Sequence, residues 1–170
     1  VLFGLNGKLE KYFDADGYNE ETKTVIEVED YGAGSAIIKS NKRVVKAIAK
    51  SSLKPKKYAQ LLFRMVKYYQ PENVLELGTS LGVTTAYLAS GNSAAKIYTC
   101  EGSKNISAIA NNNFKHLGLQ NVTLLEGAFE KTLPFFLNTI KKSFFKTTLN
   151  IFLLIAFSVV GINYSVNGQA

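Results

Sequence analysis

Nine residues, Val74-Leu-Glu-Leu-Gly-Thr-Ser-Leu-Gly82, constrain this chain more than any other stretch. A short apolar run ends at an acidic residue and passes into a loop whose glycines, Gly78 and Gly82, stand four apart. A helix-like segment, Val83–Ser90, follows directly. Strand, glycine loop and helix in that order open a nucleotide-binding α/β unit. The spacing is not the G-x-G-x-x-G of dinucleotide enzymes, so a nicotinamide oxidoreductase is a disfavoured rival. A tight strand–helix turn with an incidental glutamate is the plainer alternative.

The next segments have the same rhythm. Ala95–Cys100 reads as a second strand and is followed by Glu101. A carboxylate ending such a strand can accept two hydrogen bonds from a vicinal ribose diol. Asn105–Gly118 carries Ile106, Ile109, Ala110, Phe114 and Leu117 at helical spacing, with Gly118 placed to cap the end. Asn121–Leu125 reads as a third strand, followed by Glu126-Gly127-Ala128. For Glu126 alone, an ordinary loop carboxylate is an equal reading.

The Glu-x-Gly-x-Ser-x-Gly pattern of Glu76–Gly82 resembles motif I of the class I S-adenosylmethionine (SAM) dependent methyltransferases, in its O-methyltransferase form. The resemblance runs from about Ile26 to Leu137. It includes Val28-Glu-Asp-Tyr-Gly-Ala-Gly-Ser35, Lys54–Val66 and Lys96–Glu101. It implies an α/β Rossmann-like fold with a mainly parallel sheet, SAM as cofactor, and methyl transfer to a small-molecule acceptor, at oxygen. It also implies the cofactor residues. Glu76, Gly78, Thr79, Ser80 and Gly82 would hold the methionine end, Glu101 and Gly102 the ribose, and Glu126, Gly127 and Ala128 the adenine. SAM has no phosphate, but its carboxylate suits the N–H groups that open a helix, and its amino group suits Glu76. Gly78 and Gly82 let the backbone turn tightly beneath that end.

Composition fits one globular domain in a reducing compartment. A chain of 170 residues can bury a sizeable core. A single cysteine excludes an internal disulfide framework and favours a cytoplasmic location. Cys100 is expected to be buried in its strand, and the single His116 to have a surface or packing role. No Cys/His cluster has zinc spacing, and no metal site is expected.

The net charge of +7 is unevenly spread. Most acids precede Tyr31, whereas Tyr31–Pro71 is basic and has none. Nucleic-acid binding is one reading of this, but a solvated basic helix face is preferred. Lys54–Gln70 supports that preference. Tyr58, Leu61, Leu62, Met65, Val66 and Tyr69 form an apolar stripe, with Lys56, Lys57, Arg64 and Lys67 on the other faces and Pro55 suited to the helix start. Asn41–Lys50 is expected to be a short helix burying Val44, Val45 and Ile48. Val1–Tyr18 has no clear period, and the chain does not begin with Met, as expected of a fragment or a processed product. Asp30–Ser35 reads as a lid or substrate-side loop, or as a simple turn. The chain divides into an N-terminal lid and helical region (1–53), a cofactor-binding core (54–142) and an apolar tail (143–170).

The tail departs from the resembling family. Glu130–Lys142 still fits a helix, with Phe129, Leu133, Phe136, Leu137 and Ile140 towards the sheet. The family's fourth strand with its acidic end, and the strands after it, find no counterpart: no Asp or Glu follows Glu130. The later strands are therefore expected to be missing, no catalytic base is assigned, and negligible methyl transfer is expected. Three readings compete for Ile151–Ile162: a buried parallel strand over Ile151–Val160, a weakly membrane-associating segment over 149–162 too short to span, or foreign sequence. The last is preferred. A non-catalytic SAM-binding fragment and a membrane-associated protein remain the rival functions. Oligomeric state is not legible.

Overall fold

The computed structural model describes residues 24–28, 42–52, 56–144 and 151–153. The expectations for Val1–Tyr18, for Asp30–Ser35, for Pro55 and for most of the tail lie outside these residues. So does the side chain of Ile140.

Two short strands, β1 (Val25–Glu27) and β2 (Lys42–Val44), pair antiparallel and lead into helix α1 (Val45–Ser52). Helix α2 (Lys56–Tyr69) precedes β3 (Asn73–Leu77). The chain then alternates: α3 (Val83–Gly91), β4 (Lys96–Glu101), α4 (Lys104–Leu117), β5 (Val122–Glu126), α5 (Phe129–Phe144) and β6 (Ile151–Leu153). The second sheet has the order β5-β4-β3-β6. All of its pairs are parallel, with Val74 opposite Ile97, Ile97 opposite Val122, and Val74 opposite Phe152. This is an α/β, Rossmann-like arrangement. The chain winds outward from β3 to β5, then returns to the other side of β3.

β6 gives the sheet one strand more than the three the sequence predicts. Its backbone stands beside β3, so the strand reading of the tail holds over Ile151–Leu153.

Helices cover both faces, as a parallel sheet requires. On one face Val74, Ile97 and Val122 meet Val66, Leu88 and Ala89 of α2 and α3. On the other, Leu75, Tyr98 and Cys100 pack against Phe136 of α5, with the Tyr98 and Phe136 rings 5.0 Å apart. Phe129 and Leu133 join that contact, but Leu137 is exposed, contrary to expectation. The α5 surface that meets the sheet is narrower than its apolar content suggests.

α2 is rotated relative to its predicted stripe. Ala59, Phe63 and Val66 are buried, whereas Tyr58, Leu61 and Tyr69 are exposed. Close approach to α3 explains the choice. A Cβ on Gly91 would lie 2.9 Å from the Phe63 carbonyl oxygen and from Val66 Cβ. Small residues at that crossing select the Ala59 face over the tyrosines. The Lys57 ammonium sits over the exposed Tyr58 ring, 5.1 Å from its centre. Val44 likewise lies in β2 and is half exposed, rather than buried on a helix. Val45 and Ile48 are buried on α1 as expected, together with Ala49.

α4 ends as its sequence dictates. Gly118 takes the left-handed conformation, at φ 68°, and its N–H donates to the Lys115 carbonyl. The Leu119 N–H donates to the Phe114 carbonyl, completing the cap. His116 is exposed on this helix, its Nδ1 2.9 Å from the Asn112 carbonyl oxygen. Cys100 is buried, and desolvation pushes its thiol pKa above the ordinary range.

Candidate functional site

Parallel strands bring their carboxyl ends to one edge of the sheet. Outside that edge, where the strand order reverses, α/β folds place their ligands. Here the reversal lies at β3, between β4 and β6. Three loops meet at this end: residues 78–82 after β3, 102–103 after β4 and 127–128 after β5. The site residues singled out in the sequence therefore fall at one edge, except Glu76, which lies within β3.

The first loop is held by its own backbone. The N–H groups of Gly78 and Thr79 both donate to the Cys100 carbonyl, at 2.9 and 3.0 Å. The Gly82 N–H closes the turn on the Thr79 carbonyl at 2.9 Å. Gly78 and Gly82 lie at φ 89° and 81°. A side chain at Gly82 would collide with the Phe114 ring of α4. The loop thus presses against a helix below it, and Asn113 of the same helix donates to the Leu81 carbonyl at 2.9 Å. Gly82 also precedes α3 with no side-chain cap. The first N–H groups of that helix have no carbonyl of their own turn to meet.

Ser80 is the exception within the loop. It adopts a left-handed backbone, φ 50°, without being glycine. That conformation costs about 1–2 kcal/mol for a residue with a Cβ. Its N–H donates to Glu101 Oε2 at 2.9 Å. A hydrogen bond to a carboxylate offsets a cost of that size.

Glu101 ends β4 and ties the three loops together. Oε2 accepts from Ser80, and Oε1 accepts from the Ser103 N–H at 3.0 Å. Its backbone carbonyl accepts from the Gly127 N–H at 2.8 Å. Burial raises the pKa of this carboxyl group. Backbone hydrogen bonds from Ser103, Ser80 and Gly102 oppose that rise. A carboxylate offers about four acceptor sites, so one that takes these three backbone bonds retains capacity for a hydroxyl donor.

Glu126 stands opposite Glu101 in the register but is exposed. Gly127 lies at φ 130°. The Ala128 carbonyl accepts from the N–H groups of Lys131 and Thr132, at 2.9 and 3.1 Å, and so opens α5.

Glu76 differs from the other two acids. It is only 1% exposed and lies on the face of the sheet under α3. Its Oε2 accepts hydroxyl hydrogen bonds from Thr85 and Thr99, at 2.5 and 2.8 Å. Sequence reading missed both threonines. A hydroxyl in the otherwise apolar Ile97–Cys100 run was the available signal. Its meaning depends on the register that sets Thr99 opposite Glu76.

The N-terminal elements reach the same edge. Val28, Val45, Ile48 and Ala49 form one buried cluster with Leu81 of the loop and Ile106 of α4. The Asn105 side-chain amide donates to the Glu27 carbonyl at 2.7 Å. Among the described residues, no group of three or more His, Cys, Asp or Glu is placed to hold a metal ion. No helix among them is long and apolar enough to cross a membrane.

Several solved structures are similar to part of this chain. An SAH-bound methyltransferase from Podospora anserina is 26% identical, over 50% of this chain and 37% of its own, with a TM-score of 0.48. The SAM complex of the O-methyltransferase TomG from Streptomyces achromogenes, involved in tomaymycin synthesis, is 20% identical over 52% of this chain and 46% of its own, with a TM-score of 0.48. An O-methyltransferase from Bacillus cereus in complex with SAH is 20% identical over 65% of this chain and 53% of its own, with a TM-score of 0.46. The chain spans about half the length of these proteins or less. No protein-family profile and no curated protein matches the sequence.

Proposed function

We propose that this chain is the cofactor-binding part of a class I SAM-dependent methyltransferase acting on a small-molecule acceptor, with oxygen as the methylated atom. One observation carries the reading. The Glu101 carboxylate, at the end of the second core strand, is bonded to the glycine loop that ends the first.

The residues present fit SAM. Glu101 offers two acceptor oxygens suited to a ribose diol. The loop 78–82 offers glycine-lined backbone and the opening amides of α3, suited to a carboxylate. Glu76, an acid beneath the same loop, suits a cationic amino group. Gly102 would lie with Glu101 on the ribose side, and Glu126, Gly127 and Ala128 on the adenine side. A pyrophosphate would find acidic side chains at the same edge and no G-x-G-x-x-G backbone. When bound, SAM supplies a sulfonium methyl group open to in-line displacement. The protein's own part would be alignment: Glu101 and the loop would hold the two ends of the cofactor. No residue of this chain is assigned as proton acceptor.

On this reading the protein is cytoplasmic, and residues 1–53, 54–142 and 143–170 are lid, core and tail. Nucleic acid and metal have no part in it. A second reading, a SAM-binding protein without transfer activity, is favoured by the absence of Asp and Glu after Glu130.

Calorimetric titration tests the proposal. SAM or SAH should bind, with little response to NAD or NADP. Tighter binding of a nicotinamide cofactor would overturn it. Incubation with labelled SAM and a panel of hydroxylated and amino acceptors separates the two readings.

A further inference from the structure

Four polar side chains meet under the glycine loop, each from a different element. They are Glu76 of β3, Thr79 of the loop, Thr85 of α3 and Thr99 of β4. All four are almost fully buried. Thr99 Oγ1 donates to Glu76 Oε2 at 2.8 Å, and Thr85 Oγ1 donates to the same oxygen. Thr79 Oγ1 and Thr99 Oγ1 are 2.6 Å apart. A hydroxyl has one proton. The Thr99 proton lies on Glu76, so Thr99 must accept from Thr79. The direction of the whole chain follows: Thr79 to Thr99 to Glu76, with Thr85 donating from the opposite side.

This arrangement is a poor choice for stability alone. A carboxylate between a sheet and a helix is costly to desolvate, and apolar residues of the same shape generally pack there at no loss. Val would match Thr99 in shape. It would also leave the Thr79 hydroxyl without its acceptor and remove one of two hydroxyl donors from Glu76 Oε2.

We propose that Thr99 is a positioning residue of the cofactor site. It fixes the rotamer of Glu76 and, through Thr79, links that rotamer to the loop that turns beneath the methionine end. Thr85 holds the carboxylate from the helix side. The inference rests on the SAM-binding reading and adds residues that touch no ligand themselves. A rotated Glu76 would lose its alignment with the amino group while the nucleoside end, held at Glu101, stays as it was.

That asymmetry supplies the test. SAH and adenosine share the nucleoside, and only SAH carries the amino-acid end. Their dissociation constants should be measured for the parent protein and for Thr99→Val, Thr99→Ser and Thr85→Val. Thr99→Val should weaken SAH about tenfold, the scale for losing a hydrogen bond to a charged group, and leave adenosine within about twofold. Thr85→Val should act in the same direction, and Thr99→Ser should restore the parent ratio. Equal weakening of both ligands, or no change in either, would overturn the positioning role. So would failure of both valine variants to fold, which would make the hydroxyl chain a folding requirement. A parent protein that binds neither ligand would instead refute the SAM-binding reading itself.

Discussion

The carboxylate of Glu101 accepts the backbone N–H of Ser80, 21 positions earlier in the chain, at 2.9 Å. Ser80 is held there in a left-handed conformation. One acid at the end of a strand therefore does two things. It shapes the loop of the neighbouring strand, and it keeps acceptor capacity turned to the same edge.

Replacing Glu101 by Ala removes both. SAH affinity should fall by about 1–3 kcal/mol, the range for a hydrogen bond involving a charged group. Calorimetry on the variant checks this, and an unchanged affinity would place the ribose elsewhere.

Glu101 also gives the protein a pH signature. Its folded pKa is raised above the ordinary 4.5 by burial. The folded state then holds the proton more tightly than the unfolded chain. Through the window from 4.5 up to the folded value, stability contributed by this group is lost as pH rises, and above the window it is constant. The stability of the parent minus that of Glu101→Gln should therefore fall across that window in denaturant titrations. A difference that grows with pH would contradict the assignment of burial as the dominant cause.

Gly82→Ala should destabilise the fold by about 1–3 kcal/mol, from the left-handed backbone and from overpacking against Phe114. The double variant Gly82→Ala with Phe114→Leu should recover part of that loss, because the ring collision goes and the backbone strain stays. Thermal unfolding of the two variants gives the comparison.

Gly91→Ala tests the crossing of α2 and α3. The new methyl would meet the Phe63 carbonyl oxygen and Val66. One of these is main chain and cannot rotate away, so a loss of about 1–3 kcal/mol is expected. A variant as stable as the parent would show that the helices separate freely.

Phe136→Ala should cost about 3–5 kcal/mol, the usual range for emptying a buried aromatic position. Phe135→Ala, on the exposed neighbour, should stay within about 0.5 kcal/mol of the parent. The pair separates the sheet-facing side of α5 from its outer side in one denaturation experiment.

Much of this organisation is legible in residues whose meaning is local. β3, β4 and β5 show as apolar runs stopped by acids, and Gly118 marks the end of α4 because only a left-handed residue suits that position. Glu76, Glu101 and the loop glycines show through order and spacing. The face of α2 does not. Tyr58–Leu61–Met65 and Ala59–Phe63–Val66 are both apolar at helical spacing, and the close contact at Gly91 decides between them. Thr85, Thr99, Asn105 and Asn113 are equally silent in one dimension. Each matters only through a partner that register or packing brings to it. β6 is silent for another reason: an apolar run has no period with which to distinguish a covered strand from a segment seeking lipid.

The position of β6 also sets an order of assembly. Asn73 pairs with Lys96 across a single helix, but with Ile151 only after three helices and two strands have been made. Contacts between distant parts of a chain close late, because the intervening loop must first lose its freedom. As the polypeptide leaves the ribosome, β3, β4 and β5 can align and draw the glycine loop onto Glu101 while Ile151–Leu153 is still unmade. One flank of β3 stays open during that interval. A nascent chain of this kind exposes an unpaired edge for as long as synthesis of α5 takes, and that is when it is most vulnerable to pairing with a neighbour.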